Sequence, residues 1–510
     1  MLGLVAAGLL WRTVRYALGF PIWGDEAFVA VNFITRDYAD LVRPLEYGQV
    51  VPLVFMWVEL ALSRLLGLSE WALRLLPFAA GVASLLLFWR FASAVLPRRP
   101  ALLAVGFFAA SYYAVRHATE AKPYSTDLLV SLGLTMLGWS VYQSPRSILR
   151  WLTLILLAGL GVWCSYPAVF VAGALGLLLT WCLVREQWRP WLILGWLPFG
   201  MVLVGSFLAL YLYYAGPHAA YAARLTEIGM WRKAFPPLTE PLKLVAWLAA
   251  IHSGYMFAYP HGGPNGGSTA TFLLFLVGAV QLWRSNRALL LLLLGPLPLT
   301  FIAAALEKYP YGGTVRTSLY LAPAICLLAG LGLFATLRRF LRGRPRRAGL
   351  QVAGLALAAF ALGSTIADVW KPYSSRAVYN SHRAVRTIAA QTQPGDRWIT
   401  FNAAQRVDYA PYLGDWRGVG GQFVFDALRF HPVPLDWAPQ PESVQPDPPH
   451  RVWLLCYRGY KVAFPQGQFD AYLAPLTQRL GRPEHTRYVI KTRGVEVEAL
   501  DVYLFLPSAP

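Results

Sequence analysis

The sequence predicts an α-helical membrane protein with many spans, followed by a small soluble α/β domain at its C-terminal end. Hydrophobic residues make up 56% of the 510 residues, charged residues only 14%, and the mean hydropathy is +0.44. Such a chain has too little polar surface to cover itself in water, so a bilayer is its natural solvent. Beyond Asp368 the composition changes to that of a globular domain.

The predicted membrane part contains about eleven apolar runs that approach the length needed to cross about 30 Å of hydrocarbon. These runs are 2–20, 73–96, 101–117, 124–142, 150–165, 167–184, 191–214, 270–284, 288–306, 317–337 and 348–368. The first run has no basic leader region or cleavage site, so it predicts a retained helix. Arg12 and Arg15 are unusual within it: they reach the interface, face a polar cavity, or indicate a start upstream of Met1.

The basic residues between these runs define a topology. Arginines fall at 98–99, 146–150, 185–189, 284–287 and, most densely, 338–347. With the N-terminus inside, all five groups lie on the cytoplasmic side, as the positive-inside rule requires. An odd number of spans then places residues 371–510 outside, and we expect a bacterial inner membrane.

Two further apolar stretches, 50–67 and 242–258, would break this topology if they crossed the bilayer. The first carries Glu59 and Arg64 among leucines and tryptophans, a pattern typical of a helix that lies along the membrane surface. We therefore predict interfacial helices; the alternative for the first stretch is a pair of true spans with a tight return near 68–70.

The C-terminal 140 residues predict a separate domain, which divides the chain at 1–370 and 371–510. A turn at Pro394–Asp396 precedes an apolar strand, a helix is expected over 381–392, and the Pro-rich stretch 432–449 predicts an irregular loop. The expected strands are 397–401, 451–457, 488–491 and 502–506.

The charges and cysteines exclude some classes of function. The net charge of +19 is spread in short clusters between apolar runs, not along one soluble face, so nucleic acid is not an expected partner. The four cysteines show neither a disulfide framework nor a metal-ligand spacing.

In this topology three polar loops, 21–49, 117–124 and 307–316, face outward, and they are the candidate site. Asp25 and Glu26 follow the first span directly, and acidic residues at a membrane boundary suggest a function. The competing interpretation is that one of them caps a helix over 27–33, because acids are favoured at helix N-termini. The spacing alone favours neither interpretation.

The second loop carries several groups suited to binding within nine residues. They are Arg116, His117, Glu120, Lys122 and Tyr124. Lys122 or Arg116 suits a phosphate, and Glu120 suits a sugar, an acceptor or a divalent cation. Alternatively, these residues are interfacial anchors and Pro123 starts the next helix.

The third loop adds two cations beside a flexible glycine pair. Arg316 suits bidentate contacts with a phosphate. The loop is not a nucleotide-binding cradle, because neither a Walker motif nor a Gly-x-Gly-x-x-Gly fingerprint is present. His252 and His261 are candidates for a metal site, although single histidines near an interface are more often surface or packing residues.

Three segments together resemble a known family. The family is that of the GT-C glycosyltransferases. Its Asp-Glu loop is similar to Phe20–Ala27 (FPIWGDEA), and its stretch entering the second span is similar to Leu68–Pro77 (LSEWALRLLP). Its Glu-x-Arg-Pro-Tyr-like segment is similar to Glu120–Tyr124 (EAKPY). The protein O-mannosyltransferases and lipid A aminoarabinose transferases are members. The resemblance covers about the first 130 residues well. A departure is Gln49–Pro52, where the family has a His-Pro-Pro-like sequence.

The resemblance implies a polytopic GT-C fold and an inverting transfer of one sugar from an undecaprenyl- or dolichyl-phosphate carrier. It implies that Asp25 is the base or orients the acceptor, supported by Glu26. The groups expected to stabilise the leaving phosphate are Lys122, Arg116 and Arg316. The groups expected to contact substrate are Glu120, Tyr124 and His117. A divalent cation occurs in some relatives, but these ligands do not demand one; the sequence leaves open whether the acceptor is protein, lipid or polysaccharide.

Two other classes of function compete with the enzyme. A transporter of lipid-linked glycans, or a polymerase component, would also have many spans and a charged outer cavity, and Arg12 and Arg15 favour it. Most acidic residues lie in the outer loops and no inverted repeat is visible, which favours the enzyme. A scaffold is the third class, but eleven spans exceed what anchoring requires.

Overall fold

The computed structural model describes residues 1–185, 189–225, 232–371, 376–401, 421–430, 436–437, 444, 450–458, 466–492 and 495–506. The chain forms two compact units. One, called the helical unit here, comprises Met1–Gly19, Val50–Leu62 and Arg74–Trp370. The other, called the mixed unit, comprises Phe20–Gln49, Ser63–Leu73 and Lys371–Pro510. The second unit thus takes in two stretches of the N-terminal half in addition to the predicted C-terminal domain.

Helices dominate the chain as far as residue 370. They are α1 (Leu2–Ala17), α2 (Gly24–Ala30), α3 (Asn32–Thr35), α4 (Leu53–Leu66), α5 (Ala72–Val95), α6 (Arg98–Ala109), α7 (Tyr112–His117), α8 (Tyr124–Gln143), α9 (Ile148–Cys164), α10 (Ala168–Arg185), α11 (Pro190–Leu210), α12 (Gly216–Leu225), α13 (Pro241–His252), α14 (Thr269–Ser285), α15 (Arg287–Leu294), α16 (Pro296–Ala305), α17 (Val315–Ser318), α18 (Ala322–Phe340) and α19 (Gly343–Trp370). The helices α2 and α3 belong to the mixed unit.

Within the described part of the chain, six helical stretches are long and apolar enough to cross a membrane. They are Ala72–Val95, Ala168–Arg185, Pro190–Ala222, Arg287–Ala305, Val315–Phe340 and Gly343–Trp370. Each coincides with a predicted span. The helices α9 and α14 are apolar but shorter, and the count of eleven stays a prediction.

The run predicted as one span over 101–117 is two helices. The helix α6 ends at Ala109, and α7 begins at Tyr112 after a break. Ser111 is the reason: its hydroxyl accepts a hydrogen bond from the Ala114 N–H at 3.3 Å and so caps the new helix. The break sets the short helix α7 apart as the carrier of Arg116 and His117.

Small residues allow close helix packing in the helical unit. A Cβ added to Gly278 of α14 would lie 1.9 Å from the Leu328 carbonyl oxygen, and one added to Gly332 of α18 would lie 1.8 Å from that of Leu274. Only glycine fits where two backbones approach this closely, as in many helix pairs of membrane proteins.

The mixed unit contains a five-stranded sheet with helices. Its C-terminal elements are α20 (Arg376–Gln391), β1 (Arg397–Phe401), α21 (Gly421–Phe430), β2 (Asp436–Trp437), β3 (Val452–Arg458), α22 (Gln466–Leu480), β4 (Glu484–Thr492) and β5 (Val495–Phe505). The strand order is β2-β1-β3-β5-β4. The strand β1 pairs in parallel with β2 and β3, whereas β5 pairs antiparallel with β3 and β4.

Side chains alternate across this sheet and build two apolar layers. On one face Trp453 and Leu455 of β3 pack with residues of α20 and α21; on the other Leu454 and Cys456 pack with α22. The strand β1 begins and ends at the predicted residues. Within the predicted loop 432–449 the structure describes only the two residues of β2 and Val444.

Candidate functional site

The Asp-Glu pair lies in the first turn of α2. Glu26 is fully buried, and its Oε2 accepts a hydrogen bond from the backbone N–H of Trp23 at 3.3 Å. Glu26 therefore takes the capping role that the sequence left open between the two acids. Asp25 is half-buried beside it.

The loop that follows α2 is held by a buried ion pair. The Arg36 guanidinium lies 2.9 Å from Glu46 Oε1 and also donates to the carbonyl oxygens of Asp40 and Pro44. Asn32 fixes the far end, since its Oδ1 accepts from the Glu46 N–H at 2.9 Å. Burial raises the pKa of Glu46, against the opposing effect of Arg36. One arginine thus organises the segment from the end of α3 to Glu46.

This loop also supplies core residues to the mixed unit. Val31 is fully buried among residues of α20, α21, β1, β3 and β5, and Ile34 and Tyr47 pack against the same cluster. The Phe28 and Tyr47 rings lie 4.5 Å apart. The helix α2 packs against α21. The segment that bears Asp25 is therefore built into a folded core, although the sequence presents it as an outer loop.

In the helical unit, Glu120 brings Arg116 and His117 together. Its Oε1 lies 2.7 Å from Arg116 Nε and its Oε2 lies 2.7 Å from His117 Nδ1. Burial would raise the pKa of Glu120, but these two partners outweigh it and hold the pKa well below its usual range. Lys122 is buried next to it, and its backbone N–H donates to the Glu120 carbonyl oxygen at 2.7 Å. Both carboxylate oxygens of Glu120 thus have partners inside the protein.

Residues of the second and third loops lie near one another in the helical unit. The His117 and Tyr124 rings lie 5.2 Å apart. Burial raises the pKa of Tyr309 well above its usual range, and the nearby charge of Asp127 and the phenol of Tyr124 add to the rise. The helix α17, which carries the half-buried Arg316, lies against α7. The structure therefore places these predicted residues of the two loops in one region.

Asp127 is a candidate that the sequence reasoning missed. It lies in the first turn of α8 and is buried, and its Oδ1 has no hydrogen-bond partner among the described residues. A buried carboxylate oxygen without a donor is costly, so it suggests a ligand or water partner. The available signal was an acidic residue inside an apolar run, which in a membrane is a functional hypothesis by default.

The two candidate metal-binding histidines have other contacts. His252 Nδ1 faces the Leu248 carbonyl oxygen at 2.8 Å, and its Nε2 faces the Tyr311 hydroxyl at 3.1 Å. Burial lowers the pKa of His252 and raises the pKa of Tyr311 to about 12. The His261 ring stacks on the ring of Tyr113. Among the described residues, no group of three or more His, Cys, Asp or Glu side chains could hold a metal ion.

The two arginines of the first helix have partners within the helical unit. Arg12 donates to the Gly8 carbonyl oxygen at 2.9 Å and lies over the Phe108 ring. Arg15 bonds Asp368 Oδ1 at 2.6 Å and Thr119 Oγ1 at 3.0 Å. Arg15 therefore ties α1 to α19 and to the loop that contains Glu120.

The stretch that departs from the family pattern is anchored by its backbone. The Val51 carbonyl oxygen accepts hydrogen bonds from the Tyr166 hydroxyl at 3.0 Å and the Tyr214 hydroxyl at 2.9 Å. These bonds fix the start of α4 to the π-helical turn that follows α11 and to the turn before α10. The departure at Gln49–Pro52 leaves this connection intact because it uses main-chain atoms.

The fold is that of the GT-C membrane glycosyltransferases, which confirms the resemblance seen in the sequence. Residues 50–214 match the family model described as dolichyl-phosphate-mannose-protein mannosyltransferase. No curated protein sequence matches the chain.

Solved structures with this fold match over most or all of the chain. ArnT from Cupriavidus metallidurans bound to undecaprenyl phosphate has a TM-score of 0.57 at 15% identity, covering 99% of this chain and 98% of that one. The apo state of the same ArnT has a TM-score of 0.56 at 14% identity, covering 98% of this chain and 97% of that one. The apo oligosaccharyltransferase of Archaeoglobus fulgidus has a TM-score of 0.51 at 14% identity, covering 83% of this chain and 63% of that one.

Proposed function

We propose that this protein is a membrane glycosyltransferase that moves a single sugar from a polyprenyl-phosphate carrier to an acceptor, with inversion at the anomeric carbon. The observation that carries the proposal is the match of residues 50–214 to a family named for a dolichyl-phosphate-linked mannose donor. The likeness to a structure of ArnT that holds undecaprenyl phosphate supports the carrier. A hexose such as mannose is the sugar that the family name favours.

Asp25 is the residue that we assign as the base. The attacking acceptor group must lose a proton as it bonds to the anomeric carbon, and a carboxylate can take that proton. The carboxylate of Glu26 is engaged in capping α2, so its role is to fix the helix that presents Asp25. A direct displacement needs one base and one leaving group, and it inverts the configuration because attack and departure occur on opposite faces.

The cations of the second and third loops are assigned to the leaving phosphate. Arg116, Lys122 and Arg316 would neutralise the charge that develops on the carrier phosphate as the glycosidic bond breaks. Glu120 is assigned a different role from direct substrate binding, since both of its oxygens are bonded to Arg116 and His117. It orients those two side chains, because each of its oxygens is bonded to one of them.

The reaction is placed at the extracytoplasmic face of a bacterial inner membrane, as the distribution of arginines favours. The acceptor is a protein, lipid or polysaccharide. The transport alternative depended on charges within the first helix. Because Arg15 pairs with Asp368 and Arg12 with backbone carbonyl oxygens, those charges have a structural explanation.

The test is sugar transfer by purified protein from synthetic polyprenyl-phosphate donors carrying radiolabelled sugars to a membrane extract. Asp25→Asn removes the base and keeps the shape, so we expect turnover to fall about 10²- to 10⁴-fold while carrier binding persists. Asp37→Asn is the matched control: its carboxylate lies in the same loop and accepts from the N–H groups of Ala39 and Asp40.

Three outcomes are distinct. Loss of transfer in Asp25→Asn but not in Asp37→Asn supports the assignment. Unchanged transfer in Asp25→Asn at equal folded yield removes Asp25 from the mechanism. No transfer and no donor hydrolysis by the wild type, across several sugars, would favour a transporter or scaffold.

A further inference from the structure

One short helix of the C-terminal segment, α21, contacts both N-terminal stretches of the mixed unit. Its Ala427 and Leu428 belong to the buried cluster that contains Val31, the residue directly after α2. The helix α2 itself packs against α21. Asp25 therefore lies on a helix whose support comes from a part of the chain about 400 residues later.

The same helix is joined to the second N-terminal stretch by an ion pair. Arg429 Nη1 donates to Glu70 Oε1 at 2.7 Å, and its Nη2 donates to Glu70 Oε2 at 3.1 Å. The pair is largely buried, and Arg429 also lies over the ring of Phe430 at 5.0 Å. Burial opposes ionisation of Glu70, but Arg429 outweighs it and lowers the pKa of Glu70. A bidentate pair of this kind fixes direction as well as distance.

A second buried contact holds α21 to α20. His382 Nδ1 lies 3.1 Å from Asp426 Oδ1, and the His382 ring contacts the ring of Phe430. One turn of α21 thus carries Asp426 toward α20 and Arg429 toward the 63–73 stretch. Both contacts are polar and directional, so together they favour one orientation of α21.

We propose that Arg429 is a positioning residue for the transfer reaction, and that one function of the C-terminal segment is to hold the helix that bears Asp25. The inference rests on the proposed function of Asp25. It gives the C-terminal segment a role in chemistry in addition to any role in recognising the acceptor. Arg429 acts through Glu70 and α21, so we do not expect it to contact substrate.

The test compares Arg429→Gln with a matched variant, Arg451→Gln. Arg451 forms a similar ion pair in the mixed unit, with Nη2 at 2.6 Å from Asp396 Oδ2, but it joins the end of α20 to the start of β3. The two pairs have comparable exposure, with arginine side chains 16% and 17% exposed. Hydrogen exchange of peptides covering 20–34 and 63–73 is measured in full-length protein, together with kcat and KM for the donor.

We expect Arg429→Gln to speed exchange in both peptides and to lower kcat by about ten- to a hundredfold, as misplacement of a reacting group does, with KM for the donor little changed. Arg451→Gln should lower the thermal midpoint without either effect. Arg429→Lys should recover part of the loss, since it restores charge but not the bidentate geometry. Adding Glu70→Gln to Arg429→Gln should cause little further loss, because the two residues act as one pair.

The two proposals fail in different ways. If exchange in 20–34 is the same in Arg429→Gln and wild type, the positioning role is wrong, whatever the activity. If Arg429→Gln and Arg451→Gln lower kcat equally, the effect is general instability and the proposal is likewise overturned. If the wild type transfers no sugar but exchange responds as expected, the proposed enzymatic function is at fault and the structural coupling stands. Arg429→Lys serves the same comparison if Arg429→Gln does not fold.

Discussion

Replacing Asp368 by leucine should destabilise the helical unit and loosen the loop that contains Glu120. Asp368 lies near the end of α19 and joins it to two side chains of α1: its Oδ1 accepts from Arg15 at 2.6 Å and its Oδ2 from Trp11 Nε1 at 2.7 Å. Arg15 also reaches Thr119 Oγ1 at 3.0 Å. Removing the carboxylate therefore leaves two donors of α1 without this acceptor.

The size of the effect follows from those bonds. A hydrogen bond to a charged group contributes about 1.5–3 kcal/mol, and a neutral one about 1 kcal/mol. The side chains of Arg15 and Asp368 are 12% and 15% exposed, so water can replace part of the interaction. We expect Asp368→Leu to cost about 3 kcal/mol, toward the lower limit for breaking a buried pair. Asp368→Asn keeps one accepting oxygen and should cost less.

The assay is unfolding of the purified protein in mixed micelles with increasing dodecyl sulfate. A double-mutant cycle with Arg15→Leu should give a coupling energy of about 1.5–3 kcal/mol. Glu240→Leu is the control, since Glu240 pairs with Lys243 at an exposed position and its loss should cost less than about 1 kcal/mol. A coupling below about 0.5 kcal/mol, or equal effects of Asp368→Leu and Glu240→Leu, would refute the reasoning.

Two further predictions concern single carboxylates. Burial alone would raise the pKa of Asp396, but hydrogen bonds from Arg451, the Gln393 N–H and Trp453 outweigh burial and lower the pKa. A carboxylate whose pKa is lower in the folded state stabilises the fold above about pH 4, and this stability is lost as the pH falls through the folded-state pKa. Asp396→Asn should therefore unfold the mixed unit more easily at pH 7 and flatten the acid limb of its stability curve, and parallel curves would contradict this. Asp127→Asn should fold normally but lower sugar transfer more than tenfold, because its buried Oδ1 has no described partner; unchanged transfer would make Asp127 a structural residue only.

Much of the helical unit could be predicted because its signal is local. An apolar run of membrane length specifies a helix by itself, since every backbone polar group must be satisfied within the segment. The break at Ser111 was missed because a single serine in an apolar run is weak evidence for a helix end. The strand β1 was predictable from a turn followed by an apolar run, whereas the two-residue β2 has no such pattern.

The candidate site was only partly predictable. The Arg116–Glu120 contact is local, since Arg116 lies in the last turn of α7 and Glu120 lies just beyond the end of that helix. The Arg429–Glu70 and Arg15–Asp368 pairs join residues more than 350 positions apart, and no local pattern indicates them. The sequence likewise could not decide which acid caps α2, because Asp25 and Glu26 both suit a first turn.

The burial of Val31 bears on the catalytic role proposed for the Asp-Glu segment. A loop that is ordered only when substrate binds loses about 1–2 kcal/mol of backbone freedom per residue at that moment, which weakens binding. Here the core of the mixed unit, together with the buried Arg36–Glu46 pair, orders the segment during folding. If Asp25 is the base, as proposed, its carboxylate is held before the donor arrives, and preorganisation of this kind lowers the barrier to reaction instead of only tightening binding. On this proposal the C-terminal segment contributes to the rate without contacting the sugar.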